Sequence, residues 1–246
     1  MPDIITAIRS SSTRLVLAID SPRLDPAFVY DIIEGTSGFL PAYKFGLPFL
    51  VRQGSRTVKT IITKLEGPYY IADLKLADIG DIMAWAAEVA KYAGFHGITA
   101  HAVAGIEGGL DRLAAVTKEL SLDLILHITL ANSGARETLS ALIPKLKQIV
   151  NALSPSAVFI PGSMPDVIRD FRAAFGNSVL ILSPVSVVGG MTPGEALCAG
   201  ADAEVYGRAI INSPDPVSSA RRIIDAQFRY LRDNVGKCWE GVVGIV

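Results

Sequence analysis

Histidine and cysteine are scarce in this 246-residue sequence, which has three of the first (His96, His101, His127) and two of the second (Cys198, Cys238). Neither set has the short paired spacings of a tetrahedral zinc site, so no metal is expected. So few cysteines also argue against a disulfide-built fold and favour a reduced, cytoplasmic setting. Long apolar runs are missing as well. Half of the residues are hydrophobic, yet nowhere do about eighteen follow one another without interruption, as a membrane-spanning helix requires. An excess of charge is the third absence. The 23 basic and 24 acidic side chains leave a net charge of -1, which gives no electrostatic reason to expect nucleic acid or an anionic membrane as partner. The aromatic residues, Trp85 and Trp239 among them, are not interleaved with basic ones, which also speaks against a nucleic-acid surface. Residues 1–15 lack a charged segment followed by an apolar run and a small-residue cleavage site, so no secretion signal is expected.

What the sequence does contain is alternation. Short β-branched or apolar runs recur at Arg14–Asp20, Pro41–Gly46, Tyr69–Lys75, Gly97–His101, Leu122–Thr129, Ala157–Pro161, Val179–Ser183 and Ala203–Tyr206, each followed by a stretch of helical periodicity. This is the pattern of a parallel α/β fold. The clearest helix is Asp78–Lys91, where Ile79, Ile82, Met83, Ala86 and Ala90 form one apolar face and Asp78 is a suitable N-cap. Gly105–Lys118 and the stretch from Val217 to Leu231 show similar stripes, whereas Pro144 divides the Leu139–Ile149 pattern into two pieces. Eight regular units with no linker between them predict one (β/α)8 (TIM) barrel domain over residues 1–246, with a short N-terminal extension and a C-terminal tail. A doubly wound open sheet is the alternative. The apolar tail from Val242 to Val246 is expected to pack on the barrel or on another subunit.

In such a barrel the chemistry sits at the C-terminal ends of the strands. Asp20, Lys44, Asp73, Lys75, His101 and Arg208 all fall there. Asp73 and Lys75 are two residues apart, so they point to the same side of the third strand, with Leu74 and Leu76 facing the helices. On these two alone, a satisfied ion pair closing the core is as good a reading as a reactive centre. The segment Asp73-Leu74-Lys75-Leu76-Ala77-Asp78-Ile79 resembles the D-x-K-x-x-D-I signature of the orotidine 5′-monophosphate decarboxylase family. Ala18-Ile19-Asp20, Lys44-Phe45-Gly46-Leu47-Pro48 and Tyr206-Gly207-Arg208-Ala209-Ile210 resemble the same family's first-, second- and eighth-strand segments. The resemblance runs from about Arg14 to Leu231.

The resemblance implies a decarboxylase that makes uridine 5′-monophosphate, uses no cofactor or metal and binds a small nucleotide. It implies a Lys44, Asp73, Lys75, Asp78 charge network in a homodimer, with Asp78, Ile79 and Ile82 reaching the neighbouring subunit's site. Lys75 would stabilise and protonate the carbanion formed at C6. Asp20 and Lys44 would bind the ribose, and Arg208 and Gly207 with Pro184, Gly189 and Gly190 would grip the phosphate through a closing loop, Pro184–Pro193. The sequence departs from the pattern at three places. The pyrimidine-contacting serine is expected two residues before Ser133, so Ser133 or Asn132 is left as its substitute. Val188 stands where a glutamine is common, and Ile82 where a threonine is common. Two other readings stay open: a magnesium-dependent sugar-phosphate decarboxylase or aldolase of the same superfamily, disfavoured by the cation at Lys44, and a nucleotide binder without turnover. The three histidines are expected to be structural.

Overall fold

The computed structural model describes residues 3–187 and 189–241, and the architecture follows from them. Eight parallel strands close into a barrel in sequence order: β1 (Leu15–Ile19), β2 (Ala42–Gly46), β3 (Tyr69–Leu76), β4 (Gly97–His101), β5 (Asp123–His127), β6 (Ala157–Phe159), β7 (Leu180–Pro184) and β8 (Ala203–Tyr206), with β8 pairing back onto β1. The open sheet is thereby excluded. The helices around it are α1 (Ile4–Arg9), α2 (Pro26–Thr36), α3 (Leu47–Lys64), α4 (Gly80–Tyr92), α5 (Asp111–Glu119), α6 (Gly134–Thr138), α7 (Ile143–Leu153), α8 (Pro165–Phe175), α9 (Glu195–Ala199), α10 (Arg208–Ile211) and α11 (Pro216–Asp233). Strand ends fall within two residues of those read from the sequence. Strands such as β1 are apolar at every position because helices cover one face and the barrel interior the other, and all five of its residues are buried.

Alternation sorts each strand into two cores. Val16 and Ala18, Tyr69 and Ile71, Leu180 and Leu182, with Phe159 and Val205, fill the barrel, while Leu17, Tyr70, Ile98 and Ile181 meet the helices. Below the barrel, α1 inserts Ile4 and Ile8 into the inner cluster. The backbone N–H of Ile4 donates to Asp123, which also accepts from the Tyr69 hydroxyl at 2.6 Å. The N-terminal extension is therefore a plug, and burying each isoleucine contributes about 1.5–3 kcal/mol.

Three local expectations are corrected. Because β3 runs on to Leu76, residues 77–79 are needed for the turn and α4 begins at Gly80, with Ile79 and not Asp78 at its cap; among the described residues the Asp78 carboxylate accepts only the adjacent N–H of Ile79. The Gly105–Lys118 stripe is not one helix: Gly108 takes φ 70°, and regular helix starts at Asp111. Cys198 and Cys238, read as reduced thiols, are joined in a disulfide that ties the segment after α11 to α9, where Trp239 N–H donates to the Cys198 carbonyl. Pro144 behaves as expected, lying in the first turn of α7 after a separate piece, α6. The Val242–Val246 tail lies outside the described residues. Among the described residues no helix is long and apolar enough to cross a membrane.

Candidate active site

The inward positions at the upper ends of β2, β3, β4 and β5 are Lys44, Asp73, Thr99 and His127, and all four are buried. They converge on one carboxylate. Lys44 Nζ donates to Asp73 Oδ2 at 2.6 Å and to Asp20 Oδ1 at 2.7 Å, and Lys75 Nζ donates to the same Asp73 Oδ2 at 2.5 Å. Thr99 Oγ1 donates to Asp73 Oδ1 at 2.9 Å, and His127 Nε2 lies 2.9 Å from that oxygen.

Plain alternation does not account for Lys75 alone. The β3–β4 register shifts between Ala72 and Leu76, and Lys75 takes φ 52°, a left-handed conformation that is uncommon for a residue with a side chain. Such backbone costs on the order of 1–3 kcal/mol and persists where surrounding contacts impose it. Here the Lys75 N–H donates to Thr99 Oγ1, so one hydroxyl holds both the strained lysine and the aspartate.

The charges are settled by their neighbours. Burial opposes ionisation of Asp73, but Lys44, the His127 hydrogen bond and Lys75 outweigh it and hold the carboxyl well below 3.8. Burial likewise opposes the Lys44 ammonium, and Asp73 and Asp20 reverse this to raise its pKa. His127 is lowered, because burial outweighs its contact with Asp73, so it is a neutral donor through Nε2–H. His101 is lowered to about 4 by burial, then by His127 and Lys75. Asp20 reaches Lys44 across a gap that only glycine leaves: a Cβ on Gly46 would fall 2.0 Å from Asp20 Oδ1.

Above this network opens a cleft of about 340 Å³, within the range of small-molecule sites. Asp20, Lys44, Asp73, Lys75, Pro184, Gly207 and Arg208 all line it. Ser133 does not; it is exposed at the start of α6, and the β5 loop presents Thr129, Leu130 and Ala131 in its place. Gly189 and Gly190 also lie outside the lining, their N–H groups donated to Ser186 and Val187 within a tight turn, while Ser186 and Val187 face the cleft. Val188 is not among the described residues. Asp78, Ile79 and Ile82 are not among the residues that line this chain's own cleft. Ile82 lines an exposed apolar face with Leu47, Val51, Trp85 and Val89, on which Val51 is 75% exposed, and Ile79 is itself 65% exposed.

Sequence reading passed over His127, grouped with the structural histidines, and Thr99. The available signal was parity: Ile125, His127 and Thr129 share one face of β5, and the first of them belongs to the barrel interior. His96 is structural, accepting the Tyr70 N–H through Nδ1 at 3.0 Å. Thr129 Oγ1 is buried without a hydrogen-bond partner among the described residues.

A closed (β/α)8 barrel with a lysine–aspartate network at its mouth defines a class, and comparison with known proteins identifies the family. The model of the orotidine 5′-phosphate decarboxylase / HUMPS family matches residues 13–223. The orotidine 5′-phosphate decarboxylase of Aeropyrum pernix is 34% identical over 89% of this chain and 90% of its own, and that of Saccharolobus solfataricus 31% identical over 92% and 95%. Among solved structures, orotidine 5′-monophosphate decarboxylase from Sulfolobus solfataricus superposes with a TM-score of 0.80 at 29% identity, covering 89% of this chain and 99% of that one. The Methanocaldococcus jannaschii enzyme complexed with inhibitor BMP does so at 0.77 and 25% identity, covering 87% and 98%. The chain belongs to the orotidine 5′-phosphate decarboxylase family.

Proposed function

We propose that Lys75 is the group on which the reaction of this chain turns. The reaction is decarboxylation of orotidine 5′-monophosphate to uridine 5′-monophosphate in pyrimidine biosynthesis, and the ligand is a nucleotide. Losing carbon dioxide from C6 leaves an electron pair in the plane of the ring, where the π-system cannot absorb it. A cation fixed beside that carbon stabilises the charge as it forms and then supplies the proton that replaces the carboxyl group. The observation that carries this reading is the 2.5 Å contact of Lys75 Nζ with a buried, ionised Asp73 that Lys44 also holds. The contact aims the Lys75 amine, and the half-exposed Lys75 side chain faces the cleft.

Around that centre the other groups divide the substrate. Asp20 and Lys44 take the ribose hydroxyls, and Asp73 lies against the substrate carboxylate. Arg208, whose guanidinium offers paired donors to a dianion, takes the phosphate with the Gly207 backbone. Ser186 and Val187 at the rim belong to the loop that closes over it, and closure releases the Gly189 and Gly190 amides from their turn. Asp78 and Ile79 serve the partner's site in a homodimer. The apolar face of α3 and α4 that runs up to them, with Leu47, Val51, Ile82 and Trp85 exposed, supports that assembly. The whole chain acts as one barrel domain, in the cytoplasm.

The test is loss of pyrimidine absorbance when purified protein meets orotidine 5′-monophosphate. Wild type turns over, and Lys75→Ala does not, while uridine 5′-monophosphate still binds by calorimetry. Wild-type rates in Lys75→Ala would refute the role.

A further inference from the structure

The two oxygens of Asp73 are used differently. Oδ2 receives both ammoniums, Lys44 and Lys75, whereas Oδ1 receives only neutral donors, the Thr99 hydroxyl and His127 Nε2. His127 is placed with care. Its ring stacks on Phe159 at 4.6 Å between centroids and 9° between planes, and His101 flanks it at 5.1 Å. The ring cannot turn without leaving that stack, so Nε2 stays aimed at Oδ1.

We propose that His127 is a positioning residue for the decarboxylation, its Nε2–H locking Asp73 in the ionised form and orientation required when the substrate's carboxylate is pressed against it. The proposal rests on the placement of Asp73 beside that carboxylate, argued above. Two carboxylates brought together relieve their repulsion when one takes a proton or swings away. The lysines do not prevent this at Oδ1, since both hold Oδ2. His127 and Thr99 occupy the directions from which a proton would reach Oδ1, and protonation there forfeits their hydrogen bonds. The charged and titratable groups around Asp73 are Lys44 from β2, Lys75 from its own strand, His127 from β5, His101 from β4 behind His127, and Asp20 beyond Lys44. Asp20, the one other carboxylate among these, bonds Lys44 and does not touch Oδ1. A histidine that served only to fill the barrel would be replaceable by phenylalanine, which keeps the stack on Phe159 and loses nothing but the donor.

The experiment measures kcat and KM for orotidine 5′-monophosphate between pH 5 and 9 in wild type, His127→Phe, His127→Gln, His127→Asn and Lys75→Ala, each checked for folding by circular dichroism. In His127→Phe, kcat falls about 10- to 100-fold, the worth of a hydrogen bond to a charged group. The loss falls in kcat and not in KM, and the acidic limb of kcat moves to higher pH as Asp73 takes a proton in the complex. His127→Gln, whose amide nitrogen reaches nearly as far as Nε2, recovers most of the rate, and the shorter His127→Asn does not. Wild-type kcat with an unmoved acidic limb in His127→Phe overturns the proposal, as does His127→Gln no faster than His127→Asn. If His127→Phe does not fold, the Gln and Asn pair decides alone. Turnover surviving in Lys75→Ala brings down the underlying reading and this proposal with it; an inactive Lys75→Ala beside a fully active His127→Phe brings down this proposal only.

Discussion

Asp73 on β3 and Glu204 on β8 are both buried, and each is met by four donor groups, yet their acidities move in opposite directions. Glu204 accepts from the backbone N–H groups of Gly194 and Ala196, the Tyr206 hydroxyl and the Gln227 amide. All four are neutral. Burial therefore wins, and the pKa of Glu204 rises despite Tyr206, Gln227 and the two amides. At Asp73 burial pushes the same way, but two of the four donors are ammoniums and the pKa falls. Hydrogen bonds make a buried carboxyl tolerable; cations keep it charged. Glu204 ties β8 to the start of α9 and to α11, a structural task that does not depend on its charge. In the proposed reaction Asp73 has to remain an anion, and the barrel brings two lysines to it.

The sharpest way to break this comparison is to make both sites neutral. Asp73→Asn removes the anion that orients Lys75, and kcat falls on the order of 10³-fold, the scale of losing one preorganised electrostatic contact. Glu204→Gln leaves kcat within about twofold, since Glu204 is not among the cleft's lining residues and its carboxylate bonds only to Gly194, Ala196, Tyr206 and Gln227 among the described residues. Steady-state kinetics on the two variants checks both. Next in size is Lys44→Met, which leaves Asp73 buried with one cation fewer and costs about 3–5 kcal/mol by chemical denaturation. Gln227→Leu, which removes one neutral donor from Glu204, costs about 1–3 kcal/mol.

The smallest effect is in the pH dependence of stability. Glu204 has a raised folded pKa, so its contribution is present below the unfolded value near 4.5 and is lost as pH rises through the folded one; Glu204→Gln abolishes that decline. Asp73 behaves in reverse, contributing fully above 3.8 and less as pH falls below it. His101 loses its contribution as pH falls from 6.5 towards about 4, because the folded ring resists protonation. Denaturation curves between pH 2 and 8 separate the three.

The barrel itself was legible because each β-run and each apolar stripe obeys its own period; Asp73 was legible from strand parity, Lys44 from its place at the end of a strand, and Lys75 from the motif it shares with Asp73, although its backbone departs from plain alternation. His127 was not, since its partner lies 54 residues away on a strand two places round the barrel, and no local spacing records that contact. The irregular backbone at Lys75 was invisible for a related reason: the hydroxyl that receives its N–H, Thr99, lies on β4, and a lysine says nothing of its own φ. The start of α4 was misread at Asp78 because a good capping residue competes with a strand that continues to Leu76. The Cys198–Cys238 pairing joins residues 40 apart through the packing of the chain after α11, which two isolated cysteines do not announce.

Gly46 illustrates how a motif can encode a neighbour. Its φ of -80° is open to any amino acid, so the chain direction at the end of β2 does not demand glycine. What demands it is the Asp20 carboxylate occupying the volume a first side-chain carbon would fill. A single methyl at position 46 would evict that acid, removing the ribose contact proposed for it and stranding the Lys44 ammonium with half its counter-charge in the same stroke. Random substitution at this codon should return glycine almost alone, and the selection would be reading the geometry of a different strand.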